Sequence, residues 1–248
     1  MSKSNSGSYP RGAVIHFTAG RAGSEDEAKA TFDWLQKNGL KAVVIGPLGK
    51  CYFPEDWETK WGPHAGKSYH PALGEGVSRY LIGFEVACEG KLELRDGKFY
   101  SWFGSVVPKE RVNTYTQRMG NIEAGHYAAF TPQQVERLVE LLCYLKDKYP
   151  SFDFDLVVGH DEVATPKGRK NDPGGSIGMT MEQFRSFLKA TYVERKNKAN
   201  GEKKEGPIAD ATEPKKESTV SGVTSSSSKR KSSGLIHRII NFFRRAFA

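Results

Sequence analysis

Tyr80-Leu-Ile-Gly-Phe-Glu-Val-Ala87 is an almost unbroken apolar run, of strand length and too apolar for a strand with one wet face. Such a strand belongs in the middle of a sheet covered on both sides, the condition of parallel sheets in α/β proteins. Glu85 inside it is conspicuous, because a buried, unpaired carboxylate is costly. Working outward, Ala13-Val-Ile-His-Phe17 reads as another short buried strand, and Leu156-Val-Val158 as one that runs into Gly159-His160. Lys41-Ala-Val-Val-Ile45 and Cys51-Tyr-Phe53 read as two strands joined through Gly46-Pro-Leu-Gly49, a hairpin signal.

Helices fall between these strands. Ser24-Glu-Asp-Glu27 has the form of a capping box, and the helix it opens carries Ala28, Phe32 and Leu35 before ending at Asn38-Gly39. Thr131, with Pro132 in the first helical position, opens a second helix whose stripe is Val135, Leu138, Val139, Leu142 and Leu145. Met179 to Tyr192 reads as the last helix. The stretch from Cys88 to Tyr127 reads as long and irregular, with a hairpin turn at Asp96-Gly97. The expected class is α/β, a central mixed β-sheet flanked by helices, followed by a disordered linker and a C-terminal amphipathic helix.

Composition bounds the function. The 248 residues contain no apolar run approaching the roughly 20 needed to span a bilayer. With 14 Phe, 10 Tyr and 4 Trp the chain can build a core, so wholesale disorder is excluded. Three cysteines, Cys51, Cys88 and Cys143, are odd in number and unpaired in spacing, which speaks against a disulfide scaffold. The formal net charge of +8 is unevenly placed: residues 191–248 hold 13 Lys/Arg against 6 Asp/Glu, and residues 1–190 hold 24 against 23. A nearly neutral globular part argues against nucleic-acid binding.

Four segments follow: a flexible lead-in at 1–9, a domain at 10–193, a disordered linker rich in Lys, Glu and Ser at 194–232, and residues 233–248. In the last, Leu235, Ile236, Ile239, Ile240, Phe242, Phe243 and Phe247 fall within an arc of roughly 160° at 100° per residue. His237, Arg238, Asn241, Arg244 and Arg245 take the other side, and Lys229, Arg230 and Lys231 precede them. A cationic amphipathic helix without an acid is expected to bind anionic membrane or lipopolysaccharide through residues 229–248. Docking on a protein partner or folding back on the domain remain open to the same sequence.

Two of the six histidines, His16 and His160, end strands beside small residues, and Asp172 follows in Lys170-Asn-Asp172-Pro-Gly174. Two imidazoles and one carboxylate leave a fourth position open, the arrangement of a catalytic zinc site. Spacing alone does not bring them together, and ordinary hydrogen-bonded histidines are the alternative.

Taken in order, Ile15-His16-Phe-Thr-Ala-Gly20, Trp61-Gly-Pro-His64-Ala-Gly66, Leu81-Ile-Gly-Phe-Glu85 and Gly159-His160-Asp-Glu-Val-Ala164 through Gly174 resemble the zinc-dependent type-2 N-acetylmuramoyl-L-alanine amidases. That family includes phage endolysins, peptidoglycan-recycling amidases and peptidoglycan-recognition proteins. The likeness spans roughly residues 10–190. It implies Zn2+ held by His16, His160 and Asp172, a catalytic Glu85 and Lys170, and a His64 that lines the substrate groove. It departs at one point: the phage lysozyme-like branch carries a tyrosine on the strand after the first helix, and residues 40–46 contain none.

The implied activity is hydrolysis of the amide between N-acetylmuramic acid and L-alanine of the stem peptide by zinc-activated water. The resulting expectation is a monomeric phage or prophage endolysin acting on peptidoglycan. It would be made in the cytoplasm without a Sec signal and reach the wall after holin-type release. The rivals are a non-catalytic peptidoglycan-binding module and a cytosolic muropeptide-recycling amidase. Plainer roles exist for single residues: Glu85 satisfied by a local hydrogen bond, Lys170 as one cation of a basic loop with Lys167 and Arg169, and His64 as structural beside Trp61 and Pro63.

Overall fold

Strands buried on both faces need helices or loops above and below, and the chain supplies them in alternation. The computed structural model describes residues 9–202, with side chains to residue 200. The elements in chain order are β1 (Gly12–Phe17), α1 (Glu25–Lys37), β2 (Ala42–Ile45), β3 (Cys51–Tyr52), β4 (Tyr69–His70), β5 (Gly74–Glu75), β6 (Leu81–Val86), β7 (Lys91–Arg95) and β8 (Lys98–Tyr100). They continue with β9 (Val106–Val107), β10 (Val112–Tyr115), β11 (Gly125–Ala128), α2 (Pro132–Lys148), β12 (Val157–Gly159), α3 (His160–Val163) and α4 (Met181–Glu202).

The central sheet has the order β12-β1-β6-β2-β3. Its first four strands run parallel and β3 closes the edge antiparallel, so the sheet is mixed as expected. Every residue of β1 and β2 is buried. Ala13, Ile15, Val43, Ile82 and Phe84 face a core shared with α2 and α4, where the stripe Val135, Leu138, Val139, Leu142 and Leu145 is buried. The other face is covered in two parts. Val14 and Leu81 pack with Ala65, Leu73 and Val77 of the segment between β3 and β6, and Val44 packs with Ala28 and Leu35 of α1.

The helix signals hold with instructive shifts. Ser24 caps α1 by accepting from Glu27 N at 3.2 Å, while the Glu27 carboxylate reaches past the cap to Gly23 N at 2.7 Å. α4 starts at Met181 rather than Met179, because Thr180 and Gln183 form a reciprocal cap. At its far end α4 runs to Glu202, so its last nine residues fall in the segment read as linker. Lys196 pairs with Asp147 of α2 at 2.6 Å, which ties this extension to the domain. At the other terminus Tyr9, assigned to the lead-in, donates its hydroxyl to Trp57 O at 3.0 Å and packs against the core. Residues 1–8 and 203–248, including most of the expected linker and the cationic helix, lie outside the described residues. Among the described residues no helix is long and apolar enough to cross a membrane.

The stretch from Cys88 to Tyr127 departs from the expectation of irregular chain. It forms a second five-stranded sheet, β10-β11-β7-β8-β9, antiparallel throughout, with the Asp96-Gly97 hairpin in it. Leu92, Phe99, Val107 and Ala128 join the main core from its inner side.

Gln134 is buried at 1% exposure in the first turn of α2. Its Nε2 donates to Ile45 O and to Ala87 O, and its Oε1 accepts from Thr131 N at 2.9 Å, so it ties α2 to the ends of β2 and β6. Replacing Gln134 by Ala strands Ala87 O, leaves Ile45 O with only its bond from Ala87 N, and removes half of the cap. Urea unfolding of that variant is expected to show a loss of about 2–4 kcal/mol at unchanged m.

Candidate active site

Strand order solves the separation problem. β1 lies between β12 and β6, with His16 in register with Glu85 and Ile15 with Gly159. His16 and Glu85 therefore share a face of the sheet, and His160 emerges beside them from the end of β12. Asp172 arrives on the loop after α3, held by a hydrogen bond from Asp161 N to Asp172 O at 2.8 Å. His16, His160 and Asp172 are all buried. His16 Nδ1 stands 3.0 Å from His160 Nδ1 and 3.0 Å from Asp172 Oδ2, and His160 Nδ1 stands 2.9 Å from that oxygen.

The outer nitrogens decide which atoms carry protons. His160 Nε2 faces Ala65 O at 2.9 Å, and a carbonyl can only accept, so neutral His160 holds its proton there and bares Nδ1. His64 Nε2 donates to Leu81 O at 2.9 Å, which leaves His64 Nδ1 to accept from His16 Nε2 at 3.2 Å. His16 Nδ1 is then bare as well. Three lone-pair atoms thus converge with no hydrogen between them. Four ligands at zinc-like bond lengths in a tetrahedron stand about 3.3 Å apart, close to the spacing here. The donor set fits a divalent cation, and these three residues are the ones that could hold it.

The surroundings keep His16 and His64 neutral. Burial, with His160 and Lys170 nearby, lowers His16 from 6.5 to about 4 against the pull of Asp172. Burial, with His16 and His160, lowers His64 to about 3. Asp172 is raised by burial, but the two imidazoles outweigh this and hold it below the ordinary carboxylate range. Glu85 lies 4.0 Å from His16 Nδ1, and burial and then the Asp172 charge raise it from 4.5 to about 8, against the opposing charge of Lys170.

Lys170 itself is exposed on the loop leading to Asp172. It lines a cleft of about 250 Å³ with Arg118, Asn121, Glu123 and Asp161. His64, expected in a substrate groove, has both ring nitrogens engaged, one with His16 and one with Leu81, so what it does here is fix the His16 tautomer. Its ring lies on Gly83, where an added Cβ would come within 2.6 Å of His64 Cγ.

Sequence reasoning passed over Asn121. Its Nδ2 donates to Asp161 Oδ2 at 2.9 Å and its Oδ1 accepts from Met181 N at 2.9 Å, pinning the residue next to His160. Nothing near Asn121 in the chain marks it, since its partners are distant in sequence.

The family model for N-acetylmuramoyl-L-alanine amidase matches residues 6–175. The chain belongs to that family. No curated protein matches it. Among solved structures it is similar to AmpDh3 of Pseudomonas aeruginosa in complex with anhydromuramic pentapeptide, at 20% identity over 71% of this chain and 60% of that one, TM-score 0.45. It is similar to the amidase AmiD of E. coli, solved with anhydro-N-acetylmuramic acid-L-Ala-D-gamma-Glu-L-Lys, at 20% identity over 71% and 57%, TM-score 0.45. A selenomethionine AmpD structure is similar at 18% identity over 72% and 84%, TM-score 0.41. The chain thus spans about 60% of the length of AmpDh3 and 57% of AmiD.

Two measurements test this family member's site. In chelator, the depressed histidines lose stabilisation as pH falls from 6.5 toward 4, while raised Glu85 loses it as pH rises from 4.5 through 8. Between 4.5 and 6.5 the two histidines are offset by two carboxyls, Glu85 and Asp161, the latter raised by burial from 3.8 to about 7, so unfolding takes up almost no net proton there. Stability of the metal-free protein should therefore stay nearly level from 4.5 to 6.5 and fall toward 8, and Glu85→Gln should reduce that fall and introduce a rise of about 1.4 kcal/mol per pH unit between 4.5 and 6.5. Gly83→Ala should displace His64 and weaken divalent-metal affinity about 10–100-fold, read by competition with a chromophoric chelator.

Proposed function

We propose that the protein is a zinc-dependent hydrolase of the amide between the lactyl group of N-acetylmuramic acid and L-alanine of the stem peptide in peptidoglycan. One observation carries the reading: three lone-pair atoms of His16, His160 and Asp172 converge, with the Glu85 carboxyl 4.0 Å from His16. Zinc held there by His16, His160 and Asp172 would supply Lewis acidity for activating a water and polarising the scissile carbonyl.

The chain's own groups do the rest. Glu85 takes the proton of the attacking water and returns it to the departing amine of L-alanine. Its heightened proton affinity suits the second half of that cycle, because a carboxyl poised near the working pH both holds and releases. Lys170 approaches from the loop before Asp172 and shares the charge of the tetrahedral oxyanion. His64 holds His16 in the tautomer that presents Nδ1 inward, with Leu81 O as its anchor.

A finer reading extends this to a phage or prophage lysis enzyme released to the wall from the cytoplasm. Support for it comes from the pairing of this domain with the cationic amphipathic sequence at 229–248, suited to an anionic membrane or lipopolysaccharide.

Mass spectrometry of products from purified sacculi, with and without chelator, tests the reading. The expected products are new L-alanine amino termini and peptide-free glycan, abolished by chelation. Glu85→Gln should lower kcat by about 10²–10⁴ with bound zinc unchanged. Binding to sacculi without cleavage in zinc-replete buffer would overturn the assignment.

A further inference from the structure

Trp102 sits on the turn between β8 and β9 with 78% of its surface exposed. A free indole on a surface turn would sample many rotamers, but this one is pinned: its Nε1–H donates to Ala19 O at 2.7 Å. Phe103 meets it edge-on, ring centroids 5.5 Å apart. The turn beneath is braced in its own right, with Ser105 N donating to Ser101 Oγ, Gly104 N to Ser101 O and Ser101 N to Ser105 O. With its only polar atom satisfied and its edge fixed, the side chain offers solvent an oriented aromatic surface.

Place in the fold gives that surface meaning. Ala19 lies three residues past His16, so at most about 10 Å of extended backbone separates the anchoring carbonyl from the metal-facing residue. The Ser101-Trp-Phe-Gly-Ser105 turn and the Thr18-Ala-Gly20 segment that meets it bear no charge. Neither segment itself offers a counter-ion to a phosphate or an acidic peptide, the nearest charge in sequence being the exposed Arg21 after Gly20. A neutral ring with an apolar face would find a match.

We infer that Trp102 is the stacking platform of a pyranose subsite, where the glycan carrying the scissile amide rests beside the metal-facing cluster. The inference rests on the function proposed above, which supplies the geometry on the ligand's side. In that substrate the lactyl carbonyl is joined to its sugar ring by one carbon and one ether oxygen. A carbonyl held at His16 therefore leaves its pyranose within a few ångströms of the cluster, the same length scale that separates His16 from the Ala19 anchor of Trp102. The C–H face of a pyranose packs on an aromatic ring, and a ring already fixed by Ala19 loses little freedom when a sugar covers it. Trp102 thus acts on where the glycan lies, not on the bond that breaks.

The test uses the full-length, zinc-loaded protein and a neutral β-1,4-linked N-acetylglucosamine tetramer, which has no scissile amide and no charge for the cationic segment to bind. Calorimetric titration should show Trp102→Ala binding at least tenfold more weakly than the unmodified protein. Trp102→Phe, which keeps an aromatic face but loses the bond to Ala19, should fall in between. Unchanged melting curves would show that both variants fold, as expected for so exposed a side chain. Equal affinity of Trp102→Ala and the unmodified protein, or no binding by the unmodified protein, would overturn the subsite. A protein that binds the tetramer through Trp102 and leaves sacculi uncut would sink the amidase reading alone.

Discussion

His16 Nδ1, His160 Nδ1 and Asp172 Oδ2 face one another at 2.9–3.0 Å with no hydrogen to share, and much of the structure exists to keep them so. Bare lone pairs brought together out of water repel, and low dielectric makes that repulsion worse. The protein resolves it by fixing every other atom of the group. Each imidazole is anchored through its outer nitrogen: His160 on Ala65 O, His16 on His64 and through it on Leu81 O. Two of these anchors, Ala65 and His64, come from the segment between β3 and β6, which has little regular structure of its own. That segment is half of the site rather than a connection, and Gly83 clears the space in which its histidine lies.

The sheet supplies the other half. Parallel strands end together on one edge, and loops leaving that edge are where α/β sheets place their chemistry. With β1 lying between β12 and β6, residues 144 apart in sequence become neighbours without any long-range device beyond the strand order. The same register sets Glu85 opposite His16, and this answers why a carboxyl interrupts an apolar strand. It is costly to bury, and the cost shows in its raised proton affinity. A carboxyl that merely filled the core would have gained a local donor instead, yet among the described residues the Glu85 side chain makes no hydrogen bond and stands 4.0 Å from His16.

What the sequence made legible follows from how local each signal is. β1, β2, β6 and β12 are short apolar runs, and α1 and α2 carry caps and a clear stripe, so their existence and the α/β class could be read directly. The second sheet could not. β9 is two residues long, β8 three, and only a few of their side chains, such as Phe99 and Val107, turn inward, so no alternation builds up. Leu94 is half exposed, which blurs the pattern further. The extent of α4 was hidden for another reason: its last turns carry no apolar stripe and are tied to the domain by Lys196 and Asp147. The motif residues His16, Glu85, His160 and Asp172 do meet. His64 meets them too, but its engaged nitrogens could only be seen in three dimensions.

The second sheet also bears on how the cluster is set. It grips the two chain segments that leave the metal-facing residues. Trp102 bonds Ala19 beyond His16, and Asn113 donates to Gly175 O beyond Asp172 at 2.9 Å. Gly174 and Gly175 are pressed against Tyr127 and Tyr115, where any Cβ would collide. Asn121 holds Asp161 beside His160 and the first residue of α4 at once. A sheet inserted only to widen a binding surface would need none of these tethers. Because each one lies within three residues of a metal-facing side chain, the inserted sheet and the spacing of the three acceptors cannot vary independently. Changes in residues 88–128 that break the Asn113 or Asn121 bonds, or the packing of Tyr115 and Tyr127 on the two glycines, will therefore bear on the metal-facing atoms as well, whereas the bond to Ala19 fixes the Trp102 indole.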